Sequence, residues 1–140
     1  MVAINQIDAA GNELVVKNIS VGGQRPGAYG TGVTPATVTQ ATNRTTGVTI
    51  NSLTGQITTN NASLAAEAAA AFTVTNSTVS ANDVIVVTQK SGSNGGDTDV
   101  YVGSVANGSF TIVVANNNAS AGTAETGAIV ISFAVIKVYG

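Results

Sequence analysis

The sequence predicts an all-β fold, an antiparallel β-sandwich or jelly roll with one short helix and an extended N-terminal arm. Three observations carry that prediction. Short runs rich in Val, Ile, Thr and Phe recur at roughly ten-residue spacing between Asn/Gly/Ser clusters. Strand-like and helix-like segments do not alternate, so no parallel sheet is expected. Hydrophobic residues make up 44% of the chain but aromatics only 4%, so the core is aliphatic. At 140 residues the chain fits one domain with an added arm and is long enough to bury a core without disulfides.

Leu14–Val21, LVVKNISV, is a β-branched run and reads as a first strand. Gly22–Thr37 follows with both prolines, Pro26 and Pro35, and five glycines. It has no hydrophobic periodicity and reads as an arm or linker. Residues 1–37 are therefore expected to form the arm and residues 38–140 the sandwich. Val38–Ala41, Val48–Ile50 and Gln56–Thr59 are short strands in this reading. Ser63–Ala71, SLAAEAAAA, is the one good helix former and is expected as a short helix over an open end of the sheet. The alternative gives Ala68–Ala71 to the strand that follows.

Phe72–Asn76 alternates apolar and polar residues, as a half-buried strand does. Val84–Gln89 is apolar on both faces near its start. Val100–Val105 and Ser109–Ala115 read as a hairpin around Ala106–Asn107–Gly108, where the Asn-Gly pair supplies positive φ angles. Ala128–Val138 closes the chain as its longest strand. The expected inner face is Ile57, Phe72, Val74, Val84, Val86, Val102, Phe110, Ile112, Ile129, Ile131 and Phe133. The surplus apolar positions in Val84–Val87 and Ile129–Ile136 point to a second face that meets another subunit.

The chemistry is defined largely by what is missing. The chain has no His, Cys or Trp, and 9% of its residues are charged. That removes the commonest general base, the thiol nucleophile and the best zinc ligands, so no enzyme and no cofactor are expected. Lys and Arg number five and net charge is −2, with no basic stripe to neutralise phosphates, so nucleic acid is not an expected partner. The longest apolar stretch, Ala128–Ile136, falls far short of the ~20 residues that span a bilayer, so no membrane is expected either. The N-terminus has no cationic start or continuous apolar stretch and does not read as a secretory signal.

Asp97 and Asp99 form a D-x-D pair in the glycine-rich segment SNGGDTD, a weak candidate for a hard cation and otherwise solvated turn residues. Asp8, Glu13, Asp83 and Glu125 are scattered, and only convergence in space would make a hydrolytic pair of them. Six Asn-x-Ser/Thr triplets (Asn18, Asn43, Asn61, Asn76, Asn107, Asn118) are close to chance in so Asn- and Thr-rich a chain. Lys137 reads as a solvent-facing edge charge.

Four segments, VTQATNRTTGVTIN, GQITTNNASLAAEAAAAFTVTNS, DVIVV and AIVISFAVIKV, resemble a module of tailed-bacteriophage structural proteins. The resemblance covers Val38–Lys137 and rests on patterns of strand and turn. It implies a β-sandwich that works as a homotrimer in the virion. A compact domain with a short arm is similar to capsid decoration (cement) proteins, which bind the outside of the assembled head. On that reading Gln24, Arg25, Pro26, Tyr29 and Pro35 of the arm contact the major capsid protein. The alternative implied by related fibre modules is a tail-fibre or spike tip, whose loops Ser91–Asp99 and Asn116–Gly127 touch host surface glycan.

Overall fold

A computed structural model describes residues 36–93 and 97–138. They form eight strands: β1 (Ala36–Thr39), β2 (Val48–Thr49), β3 (Thr54–Thr58), β4 (Ala69–Thr75), β5 (Val84–Ser91), β6 (Thr98–Ala106), β7 (Ser109–Asn116) and β8 (Val130–Ile136). Two four-stranded sheets pack as a sandwich, with orders β1-β3-β8-β5 and β2-β4-β7-β6. The expected strand at Leu14–Val21, the arm residues Gln24, Arg25, Pro26, Tyr29 and Pro35, and Asp8 and Glu13 lie outside the described residues.

Successive strands run in alternating directions, and the chain switches sheet at nearly every connection. Strands two apart in sequence that land side by side are therefore parallel. β1 pairs with β3 and β2 with β4 in this way, while the remaining pairs are antiparallel. This corrects the expectation of a wholly antiparallel sandwich. It also separates the fold from a jelly roll, which is antiparallel throughout.

The alternation gives the sandwich two unlike poles. Residues 40–47, 59–68, 92–93 and 117–129 lie at one end, the loop pole, where β5 also passes to β6. The connections 50–53, 76–83 and 107–108 lie at the other, together with the start of β1 and the end of β8.

The core is the aliphatic layer between the sheets. Ile57, Phe72, Val74, Phe110, Ile112, Ile129, Ile131 and Phe133 are buried in it as expected, and Val102 packs against it half-buried. Val84 and Val86 are not in it. They are 50% and 49% exposed, while Ile85 and Val87 point inward opposite Val135 and Phe133. In Val-Ile-Val-Val both faces are apolar, so the pattern cannot choose between them, and a one-residue slip exchanges the faces.

No helix forms over Ser63–Ala71. Ala66–Glu67 is a turn, with Glu67 at φ 61°, and Ala69–Ala71 open β4. A nine-residue helix is marginal in water, whereas β4 pairs with β7 at seven positions from Ala69↔Ala115 to Thr75↔Ser109. Tertiary pairing overrides alanine's preference. The β6–β7 hairpin is as expected, but Gly108 alone takes positive φ (77°). The turn is clamped to residues 76–83: Gly108 N donates to Val79 O and Asn76 N to Gly108 O, while Asn107 Oδ1 accepts from Ala81 N. β6, not β8, is the longest strand.

Lys137 is not an edge charge. Past the end of β8 its Nζ pairs with Asp83 Oδ2 and donates to Thr78 O. Burial alone would raise the Asp83 carboxyl. Hydrogen bonds from Lys137, Ser80 N and Val138 N, with the Lys137 charge, outweigh burial and hold it below the usual carboxylate range. A carboxyl with a lowered folded pKa adds stability that is fully present above its unfolded value of about 3.9 and lost as pH falls through the folded one. Asp83→Asn is therefore expected to unfold at lower urea than the native protein at pH 7, with the gap closing below about pH 4. Parallel urea titrations at both pH values check this, and a gap that persists in acid would reject the ionic role.

Candidate functional site

The loop pole concentrates the polar chemistry of the described residues. Its loops are tied by buried side chains, the first of which is Arg44, on 40–47 and 3% exposed. Its Nε donates to Ala62 O, Nη1 to Thr59 Oγ1 at 3.3 Å, and Nη2 to Glu125 O and Gly127 O at 3.2 and 2.8 Å. Burial pulls the guanidinium below its ordinary pKa and the Glu125 charge opposes that pull. It remains a cation at neutral pH.

Glu125 is the complementary group and is fully buried. Its Oε2 accepts from Ser93 Oγ at 2.6 Å and Thr98 Oγ1 at 2.7 Å, and its Oε1 accepts from Gly127 N at 2.6 Å. Arg44 thus joins 40–47, 59–62 and 125–127, and Glu125 adds the β5–β6 connection. The two side chains between them touch every connection at this pole.

Buried amides close the individual loops. Gln40 Nε2 donates to Arg44 O and Thr46 O while its Oε1 accepts from Asn60 N. Asn116 Nδ2 donates to Leu64 O and Thr123 O, both at 3.0 Å. Close backbone approach adds a further constraint, because a Cβ on Gly92 would sit 2.0 Å from Ala128 O, and one on Gly127 2.0 Å from Gly92 O. Gly92 also holds φ 96°, a conformation open to glycine.

Asp97 and Asp99 lie on the rim of this pole, both exposed. With Thr98, Asn117 and Ala119 they line a shallow, open, polar cleft. Asn117 bridges them: its N donates to Asp97 O at 2.8 Å and its Nδ2 to Asp99 Oδ2 at 2.6 Å. Thr98, between them, turns the other way and reaches Glu125. Among the described residues no group of three or more acidic, His or Cys side chains gathers here or elsewhere to hold a metal ion. Within the two loops expected to touch host glycan, Asn117 joins Asp97 and Asp99 from outside, and Glu125 joins Ser93 and Thr98 from inside.

Asp83 and Glu125 do not converge. β5 separates their poles by seven steps of ~3.3 Å, about 23 Å, well beyond the ~5–10 Å of a hydrolytic carboxylate pair. Sequence reasoning did not single out Arg44, Gln40 or Thr59. The available signal was a lone cation in a chain with 9% charged residues, set among short polar runs. Of the triplet asparagines, Asn76 is fully buried, with its amide on Ser52 O.

No helix among the described residues is long and apolar enough to cross a membrane. Comparison with protein-family models, curated proteins and solved structures found no match to this chain.

Proposed function

We propose that this chain is a structural protein of a tailed-bacteriophage virion: a capsid decoration protein that binds the outside of the assembled head as a homotrimer and stabilises it. The reading rests on the resemblance over Val38–Lys137, and the observation that carries it furthest is the polarity of the sandwich. β1 begins, at Ala36, at one pole, and the polar loops occupy the opposite pole. In this reading the pole where β1 begins faces the protein lattice and the loop pole faces solvent.

The mechanism is linkage. A protein that binds the assembled lattice and not its free subunits stabilises the lattice by mass action. Three arms on one trimer act at high effective concentration, so weak contacts by Gln24, Arg25, Pro26, Tyr29 and Pro35 with the major capsid protein add up to stable attachment. The role is binding rather than catalysis, in keeping with carboxylates that are either locked in structural hydrogen bonds or spread along the rim. It calls for no cofactor, nucleic acid or membrane.

A second reading is favoured by the cleft at Asp97, Asp99 and Asn117. Loops on a rigid scaffold suit recognition, and a fibre or spike tip would present this pole to host surface glycan. Immunogold electron microscopy on intact virions separates the two. Label spread over the head is expected, whereas label confined to tail tips would overturn the decoration role and make the loop pole the binding site. Deleting residues 1–35 is expected to abolish head binding, and full occupancy by the shortened chain would reject the arm as the anchor.

A further inference from the structure

Of the five large hydrophobic residues most exposed among the described residues, Val84, Val86 and Ile136 lie on the outward face of one sheet, and Val138 follows just past the end of β8. Val84 is the direct cross-strand partner of Ile136, and Val86 of Ala134, so Val84, Val86 and Ile136 form one contiguous stripe on β5 and β8. The other sheet's outward face is mostly small or polar on β4 (Ala69, Ala71, Thr73, Thr75), with one apolar pair, Tyr101 opposite Val113, further along. We propose that this stripe, with the adjoining free edge of β5, is the surface through which copies of this chain associate. The inference deepens the trimer reading above and rests on it for its stoichiometry.

Two features point to a second copy as the occupant. The outward positions of this sheet carry no formal charge until Lys90, near the far pole, so like faces meet without burying an ion. Area is the second. Four strands ~4.8 Å apart and ~20 Å long offer a footprint of about 400 Å², roughly half the ~800 Å² each partner gives to a stable two-body interface. A face-to-face dimer is therefore undersized, whereas in a closed ring each copy is held by two neighbours. β5 supplies the added surface. It ends its sheet, and the devices that normally blunt an edge, the charge of Lys90 and the register shift between Gln89 and Ser91, sit only at its far end, leaving Val84–Gln89 without charge, proline or bulge.

The test is light-scattering mass of the full chain across micromolar concentrations, for the native protein, Val86→Asp, the near-isosteric pair Val86→Thr with Ile136→Thr, and Thr73→Asp on the other sheet as control. A trimer is expected for the native chain and the control. The dissociation constant for association should rise at least 100-fold in Val86→Asp and clearly in the double threonine variant, with unchanged circular dichroism. If Val86→Asp fails to fold, the threonine pair, which keeps β-branching, decides the question. A native chain that is monomeric at 100 µM, or variants that remain trimeric, would overturn the proposal. Head binding is read separately. A native chain that is monomeric yet decorates heads would reject this surface and leave the decoration role standing, whereas a native trimer, dissociated by the variants, that ignores heads would do the reverse.

Discussion

Arg44→Ala is expected to lower stability by about 3–5 kcal/mol, a large part of the 5–15 kcal/mol typical of a whole domain. The loss is not that of a surface ion pair. The guanidinium is buried and donates to Ala62 O, Thr59 Oγ1, Glu125 O and Gly127 O, in segments up to 83 residues away. Truncation takes the guanidinium's donors from Ala62 O and Gly127 O, while Glu125 O keeps Leu64 N and Thr59 Oγ1 keeps Ile129 N, and it leaves the buried Glu125 carboxylate without the nearby cation. Each unsatisfied buried group costs about 1–3 kcal/mol. Arg44→Lys is expected to recover little, because one ammonium on a flexible stem cannot replace a planar fork that addresses two distant segments at once. Urea unfolding checks the magnitude, and a loss below about 1 kcal/mol would show that solvent replaces the guanidinium at this pole. A cycle with Glu125→Gln should show coupling above about 0.5 kcal/mol, since both side chains hold residues 125–127.

The same residue shows where sequence reading stops. Each described strand overlaps a β-branched or alternating run in the sequence, but β1 begins at Ala36, inside the expected arm, and the first three residues of β4 fall in the expected helix. The hairpin at Asn107–Gly108 was legible from its Asn-Gly pair. Which face of β5 turns inward was not, since Val84 and Val86 are as apolar as Ile85 and Val87, and burial is decided by pairing with β8. The parallel edge pairs were not legible either, because they follow from the order in which the chain visits two sheets. At SLAAEAAAA, helix propensity and strand pairing compete, and only the presence of β7 alongside settles the outcome. Arg44 defines the loop pole through partners that are mostly backbone carbonyls. A carbonyl has no signature in sequence, so no spacing rule could have found the set. The Asp97–Asp99 pair stood out as a motif, yet its partner Asn117 lies in a loop that only the fold brings near.

Phe110→Ala is expected to cost about 3–5 kcal/mol by a different route, the loss of packing at the centre of the sandwich. Phe110 on β7 is 1% exposed, and its ring lies 5.5 Å from that of Phe133 on β8, tilted at 53°. The pair bridges the two sheets, one ring from each, in a geometry that favours edge-to-face contact. The chain has three phenylalanines and no tryptophan, so little else of comparable volume is present to fill the gap. The neighbours that would have to relax are largely Val and Ile, such as Val74 directly opposite Phe110, and their β-branching holds them near one rotamer. The cavity should therefore persist, and the cost should lie toward the upper end of the range. Phe110→Leu, which keeps most of the volume, is expected to cost about 1–2 kcal/mol. Because the rings touch, Phe110→Ala and Phe133→Ala together should cost less than the sum of the two, by about 0.5–1.5 kcal/mol. Strict additivity in urea unfolding would mean that each ring packs independently against its own sheet. The inter-sheet contact would then contribute nothing beyond the area it covers.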